Sequence, residues 1–213
     1  MEISWLGHSC FRLRGREVTV ILDPYAPSTG YTLPRVSAQI VAVSHDHPGH
    51  NYVAGVGGTP RVVRGPGEYE IADVFITGIQ TYHDSVSGQE RGANTAYLIE
   101  LDELSICHLG DVGHVLSPEQ AEALQEAHIL LVPVGGKSTV DATTAADIVR
   151  LIDPKVVIPM HYRTEAGRPD LDPLDRFLAE MSQKELTPQP RASYTKSSLP
   201  DTLQVVVLDY RRG

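Results

Sequence analysis

The sequence predicts an α/β (α+β) protein in which two β-sheets pack face to face with helices on the outside. Three observations carry this expectation. Short apolar segments separated by turn residues fill the first half, and strands alternate with amphipathic helical runs in the second. The chain of 213 residues, 41% hydrophobic, is long enough for one sizeable core, so a single domain over residues 1–213 is expected.

In order, Glu2 to Trp5, Cys10 to Leu13, Val18 to Leu22 and Gln39 to Val43 read as strands broken by Gly7, Gly15 and the Asp23-Pro24 pair. Arg61 to Val63, Val74 to Gln80, Ala96 to Leu101 and Leu104 to Leu109 continue the pattern, and the last runs straight into Gly110-Asp111. Between them, Gly65-Pro66-Gly67-Glu68-Tyr69 reads as a turn or a pocket wall. The period then changes. Ser117-Pro118-Glu119-Gln120 offers an N-cap, a first-turn proline and an acid ahead of a helix to Ala127. Ile129 to Val134 reads as a buried strand, Asp141 to Ile152 as a second helix, and Val156 to Met160 as a strand closing on His161. Pro173 to Met181 predicts one more helix and Gln204 to Asp209 a terminal strand.

Charge narrows the function classes. Lys+Arg 18 against Asp+Glu 27 gives a formal net charge of -9, which argues against nucleic acid as a partner. The two cysteines, Cys10 and Cys107, form no metal-knuckle spacing and no disulfide framework, which fits a cytoplasmic protein. No stretch approaches the roughly 20 apolar residues of a membrane span. A small-molecule substrate is therefore the expected partner, and oligomerisation is left open.

The sharpest feature is Ser44-His45-Asp46-His47-Pro48-Gly49-His50, three imidazoles directly after an apolar strand. A tight loop after a rigid strand aims several ring nitrogens at one point, and imidazole suits zinc, with manganese or iron as the other options. His83, Asp111 and His161 each follow a predicted strand in the same way. Ligands gathered from several strand ends make an open, preorganised site suited to catalysis. One or two divalent cations, Zn2+ first and Mn2+ or Fe2+ next, are the expected cofactors.

The ordered runs HDHPGH, His83, HLGD ending at Asp111 and PMHY containing His161 resemble the motif series of metallo-β-lactamase-fold hydrolases. The segments WLGHSCF, ILDP, GPGEYE and RGANT are similar to a branch that includes ascorbate-phosphate lactonase relatives. The resemblance implies a four-layer αβ/βα sandwich of two mixed sheets flanked by helices. By the same resemblance His45, His47 and His83 hold one metal, Asp111 bridges, and His50 with His161 face a second. Asp111 and His161 are the residues it points to for catalysis. Asp23 matches the position whose carboxylate buttresses the histidine loop; an ordinary Asp-Pro turn explains it equally well from turn chemistry.

One position departs from the family's HxHxDH pattern: its aspartate is Gly49 here, which has no ligating side chain. Asp46 sits at the variable position between two histidines, where neighbouring side chains point apart. The expectation is that the position built from His45, His47, His83 and Asp111 fills first and the other is weak or empty. The expected reaction is hydrolysis of a small ester, lactone or phosphoester by hydroxide formed on the metal, without a serine or cysteine nucleophile. The alternative is a non-catalytic metal-binding or sensing module on the same fold, motivated by Gly49. His8 and His114 lie near enough in sequence to touch substrate, or act as turn histidines making one hydrogen bond. His108 and His128 are left outside the site, and Lys137, Arg91 and Asn94 read as loop residues that face water or an anionic substrate.

Overall fold

A computed structural model describes residues 1–210. Its first half contains β1 (Glu2–Gly7), β2 (Cys10–Arg14), β3 (Thr19–Leu22), β4 (Val36–Ser37), β5 (Ile40–Val43), β6 (Val56–Gly57) and β7 (Arg61–Arg64). Then come β8 (Gly67–Ile71), β9 (Val74–Tyr82), β10 (Ala93–Leu101) and β11 (Leu104–His108). The alternating part follows with α1 (Pro118–Leu124), β12 (Ile129–Pro133), α2 (Ala142–Ile152), β13 (Val156–Met160), α3 (Leu174–Glu180), β14 (Ala192–Ser193) and β15 (Gln204–Val205).

Two mixed sheets result, as expected. The first has the order β14-β1-β2-β3-β5-β7 and the second β15-β13-β12-β11-β10-β9-β8, while β4 and β6 form a separate pair. Chain direction decides where the site lies. β1 and β3 both run antiparallel to β2, and β3 runs parallel to β5, so the C-terminal ends of β1, β3 and β5 share one edge. In the second sheet β9 and β11 flank β10 antiparallel and β11, β12 and β13 are parallel, so β9, β11 and β13 also end together.

Period-two alternation splits the first sheet between two cores. Val20, Leu22, Ile40 and Ala42 join the main core with second-sheet residues such as Ile99, Ile106 and Leu131, whereas Ile21, Val41 and Val43 point the other way. That outer face is closed by Tyr25, Tyr31 and Val56 with Leu33, Val36 and Val53, all from loops, 3-10 turns and the short β4–β6 pair. The α-helices gather elsewhere: α1 touches β9, α2 touches β12, and α3 packs on α2. No helix of the described residues is long and apolar enough to cross a membrane.

Boundaries moved for identifiable reasons. The helix after Ser117 keeps its capping box but stops at Leu124, three residues before Ala127, because the His128 N–H is taken by the Ser105 carbonyl at 2.9 Å as the chain joins β11. His128 therefore sits beyond the helix end, and its Nδ1 accepts the Ser105 N–H at 3.0 Å. Of Gly65 to Tyr69, expected as a turn or a pocket wall, only Gly65 and Pro66 form a bend, and Gly67–Ile71 is an edge strand paired to β9. A separate turn at Ala72 and Asp73, both left-handed (φ 52° and 61°), joins this strand to β9 and suits the twist of a two-residue hairpin.

Candidate metal centre

At the shared strand ends, β5 delivers His45, His47 and His50, β9 delivers His83, β11 delivers Asp111 and β13 delivers His161. The structure brings all six together. Donor atoms of His45, His47 and His50 lie within 4.8 Å of one another, and so do those of His45, His83 and Asp111. Asp111 Oδ2 is the hub, 3.1 Å from His50 Nε2, 3.4 Å from His83 Nε2 and 3.5 Å from His161 Nε2. All but His50 line a cavity of about 570 Å³, with His8, Asp46, Arg91, Ser138 and Arg168 among its other walls.

The backbone supports this convergence at a cost. Asp23, His8 and His161 are left-handed (φ 43°, 53° and 52°), a region that Asp and His enter more readily than bulky residues but still under strain. Close approach of two strand-end loops also requires Gly113, whose N–H bonds to the Tyr82 carbonyl at 2.9 Å. A Cβ there would lie 2.5 Å from the His83 carbonyl carbon and 2.6 Å from Asp84 N, both backbone. Gly113→Ala is expected to lower stability by roughly 1–3 kcal/mol through this overlap and to weaken cation binding by moving His83. Thermal unfolding and a zinc titration check both.

A hydrogen-bond frame fixes the donors. Asp23 accepts from Ser44 N (2.7 Å), Ser44 Oγ (2.6 Å) and His50 Nδ1 (2.8 Å), which leaves His50 Nε2 facing the site. His45 Nδ1 meets Ser44 Oγ at 3.0 Å, again leaving Nε2 inward. Asp111 Oδ1 accepts from Ser9 Oγ at 3.1 Å, and its N–H donates to Asn94 Oδ1 at 3.0 Å. Asp84 accepts four backbone N–H groups, from Val86, Gly88, Glu90 and Arg91, and so orders the loop after His83 that carries Arg91 to the cavity.

Some expectations need correction. His114 does not line the cavity: Nε2 accepts the Tyr82 N–H at 3.1 Å and Nδ1 reaches the Val115 carbonyl at 2.7 Å, so it braces a strand end. Asn94 is buried in β10, where its amide donates to Thr81 Oγ1 and the Leu109 carbonyl at 2.6 and 2.9 Å; it is a positioning residue for Asp111 and no loop contact. His8 does line the cavity. His108 is buried between the Ser9 carbonyl and Gly110 N–H. Sequence reasoning missed the structural parts of Ser9, Ser44 and Asp84; the one signal available was that each adjoins a histidine.

Electrostatics suit a cation. Desolvation, then the nearby His50, push His45 down to about 3, and desolvation likewise lowers His161 and His47, so these rings are neutral at pH 7. Burial opposes ionisation of Asp111, but His161 and His50 outweigh it and hold its carboxyl well below the usual range. His50 is the exception: desolvation disfavours its charge, yet Asp111 and Asp23 raise it to about 10. Buried nitrogens of His45, His50, His83 and His161 have no hydrogen-bond partner among the described residues. The His50 Nε2 contact with Asp111 is within ion-pair distance but off the line of a hydrogen bond. The unpartnered Nε2 atoms of His45 and His50 beside a carboxylate are the pattern that a bound cation completes, whereas in His83 and His161 the unpartnered atom is Nδ1 and Nε2 faces Asp111.

Residues 2–161 match the family model described as the beta-lactamase superfamily domain. The chain belongs to this superfamily. A UPF0173 protein of Pyrococcus furiosus is 30% identical over 214 residues, 87% of this chain and 93% of the relative. A UPF0173 metal-dependent hydrolase of Hyperthermus butylicus is 30% identical over 210 residues, 84% of this chain and 91% of the relative. Among solved structures, a Thermotoga maritima protein described as a Zn-dependent hydrolase of the metallo-beta-lactamase superfamily is 36% identical. Its TM-score is 0.82, with 97% of each chain covered. This beta-lactamase superfamily member is accordingly a metal-dependent hydrolase.

Proposed function

We propose that this chain hydrolyses a small ester, lactone or phosphoester with a divalent cation, Zn2+ ahead of Mn2+ or Fe2+, held by His45, His47, His83 and Asp111. The observation that carries the reading is the grouping of His45, His83 and Asp111 donors within 4.8 Å at the wall of a cavity of about 570 Å³. A cation bound there supplies Lewis acidity toward a carbonyl or phosphoryl oxygen and acidifies a water molecule for attack. Asp111, its Oδ1 occupied by Ser9, keeps Oδ2 toward the site as the anion that would hold the cation, with His161 3.5 Å from that oxygen at the same wall of the cavity. Asp23 orients His50 and the loop behind it. No nucleophilic side chain is needed; Cys107 is fully buried and desolvation pushes its thiol up out of the reactive range.

The substrate side of the cavity favours an anionic group. Arg168, held by Asp170 at 2.7 Å, and Arg91 put two guanidinium groups on its wall, beside the neutral hydroxyls of Ser28, Thr29 and Ser138. A phosphoester or a carboxylate-bearing lactone meets that chemistry.

The test is a panel of aryl esters, lactones and phosphodiesters assayed before chelation, after it, and after zinc is restored. Turnover is expected to vanish with the metal and return with it. His83→Ala is expected to lose at least tenfold in metal affinity, whereas His128→Ala keeps both metal and turnover. Equal metal retention in the two variants would contradict the assignment, and metal binding with no turnover on any substrate would favour a binding module.

A further inference from the structure

We propose that His8 supplies the ligand that Gly49 cannot, completing a second cation position together with His50, His161 and Asp111. The inference rests on the reading of the first position given above. A Cβ built on Gly49 would lie 3.1 Å from His8 Cε1 and 3.4 Å from His8 Nε2. The imidazole edge of His8 therefore stands where a carboxylate at position 49 would project. It comes from the other side of the site, on the turn between β1 and β2.

Several observations point this ring at a ligand. His8 is 7% exposed, and its Nδ1 is buried without a hydrogen-bond partner among the described residues. Its ring centroid is 4.6 Å from that of His161 and 4.9 Å from that of His50. Neither His8 nor His161 belongs to the two tight donor groupings, yet His161 faces Asp111 Oδ2 at 3.5 Å and the His8 ring lies against His161 and His50, on the side those groupings leave open, so that a cation there would have to draw these donors closer. The backbone of His8 is clamped: its carbonyl accepts from Trp5 Nε1 at 2.9 Å and from His161 N at 3.2 Å. An imidazole fixed in a left-handed turn with a buried, unpartnered Nδ1 is costly unless a hydrogen-bond partner or a cation engages the ring. Exchanging a carboxylate for an imidazole also shifts a position from harder cations toward zinc. The second position is accordingly present, and nitrogen-rich.

The experiment is a count of zinc per chain by mass spectrometry after stripping, reloading with Zn2+ and desalting, with circular dichroism confirming the fold. His8→Asn tolerates the left-handed backbone while removing the ring; His8→Gln serves as a second variant if the first melts early. Wild type is expected to hold two zinc ions, His8→Asn one, and the double variant His8→Asn/Gly49→Asp two again. That restoration separates ligation from mere packing: Gly49 is not among the positive-φ glycines, loss of the His8 ring removes two of the three close contacts of a Cβ at position 49, and the third, His47 Nδ1 at 3.1 Å, is a side-chain atom that has to give by only a few tenths of an ångström. One zinc in wild type, two in a folded His8→Asn, or one in the double variant would each overturn the proposal. No zinc in wild type would overturn the first position as well, which keeps the two failures distinguishable.

Discussion

Asp111→Asn is expected to abolish tight metal binding and, with it, turnover on whichever ester or phosphoester the native enzyme accepts. The substitution preserves shape, and Asn can still accept from Ser9 Oγ, but it removes the negative charge that three imidazoles face at 3.1 to 3.5 Å. Changing a residue that only orients a ligand costs roughly 10–100-fold in affinity; removal of the shared anion itself should exceed that. Zinc content after desalting and the rate with excess zinc added back check the two parts. Full zinc occupancy in the variant would remove Asp111 from the site.

The second large effect is expected at Asp23. Asp23→Ala leaves the Ser44 N–H, the Ser44 hydroxyl and the His50 Nδ1 proton without their common acceptor in a fully buried place. Breaking a buried pair by removing one partner costs about 3–5 kcal/mol, so the variant should unfold at markedly lower denaturant concentration. Metal affinity should fall by roughly 10–100-fold, because the carboxylate holds a ligand. The pH dependence has a definite sign. Despite desolvation, His50 lowers the Asp23 pKa, so its contribution is whole above the ordinary aspartate value of about 4 and disappears as pH falls through the lowered one. His50, raised to about 10, contributes below its ordinary value and loses that contribution as pH climbs through 10. Asp23→Asn should flatten the acid limb of the metal-free stability profile; an unchanged limb would assign it to other groups.

What the sequence disclosed followed from locality. His45, His47 and His50 are legible because three ligand-type residues crowd a loop behind an apolar strand, and Asp111 and His161 because each ends such a strand. The frame around them was hidden because it depends on side-chain direction across strands. Asn94 looks like a loop residue until β10 is seen to begin at Ala93, which turns its amide toward Asp111. Proximity in sequence misled at His114, where the Gly113 N–H bonds to the Tyr82 carbonyl and the His114 ring is drawn to the Tyr82 N–H, away from the cavity. The helices follow period and caps: Asp141 caps α2 by accepting the Thr144 N–H. What covers the first sheet does not, since loops bearing Tyr25 and Tyr31 carry no helical period to recognise.

The donors come from both sheets, His45, His47 and His50 from one and His83, Asp111 and His161 from the other. An ion gripped by all of them acts as a rivet through the sandwich, attainable only once the two halves have docked. Its binding energy then appears as resistance to unzipping and grows with the logarithm of free ion above its dissociation constant. The cell's supply of that ion would thereby set how long the folded protein endures, apart from how fast it turns over substrate.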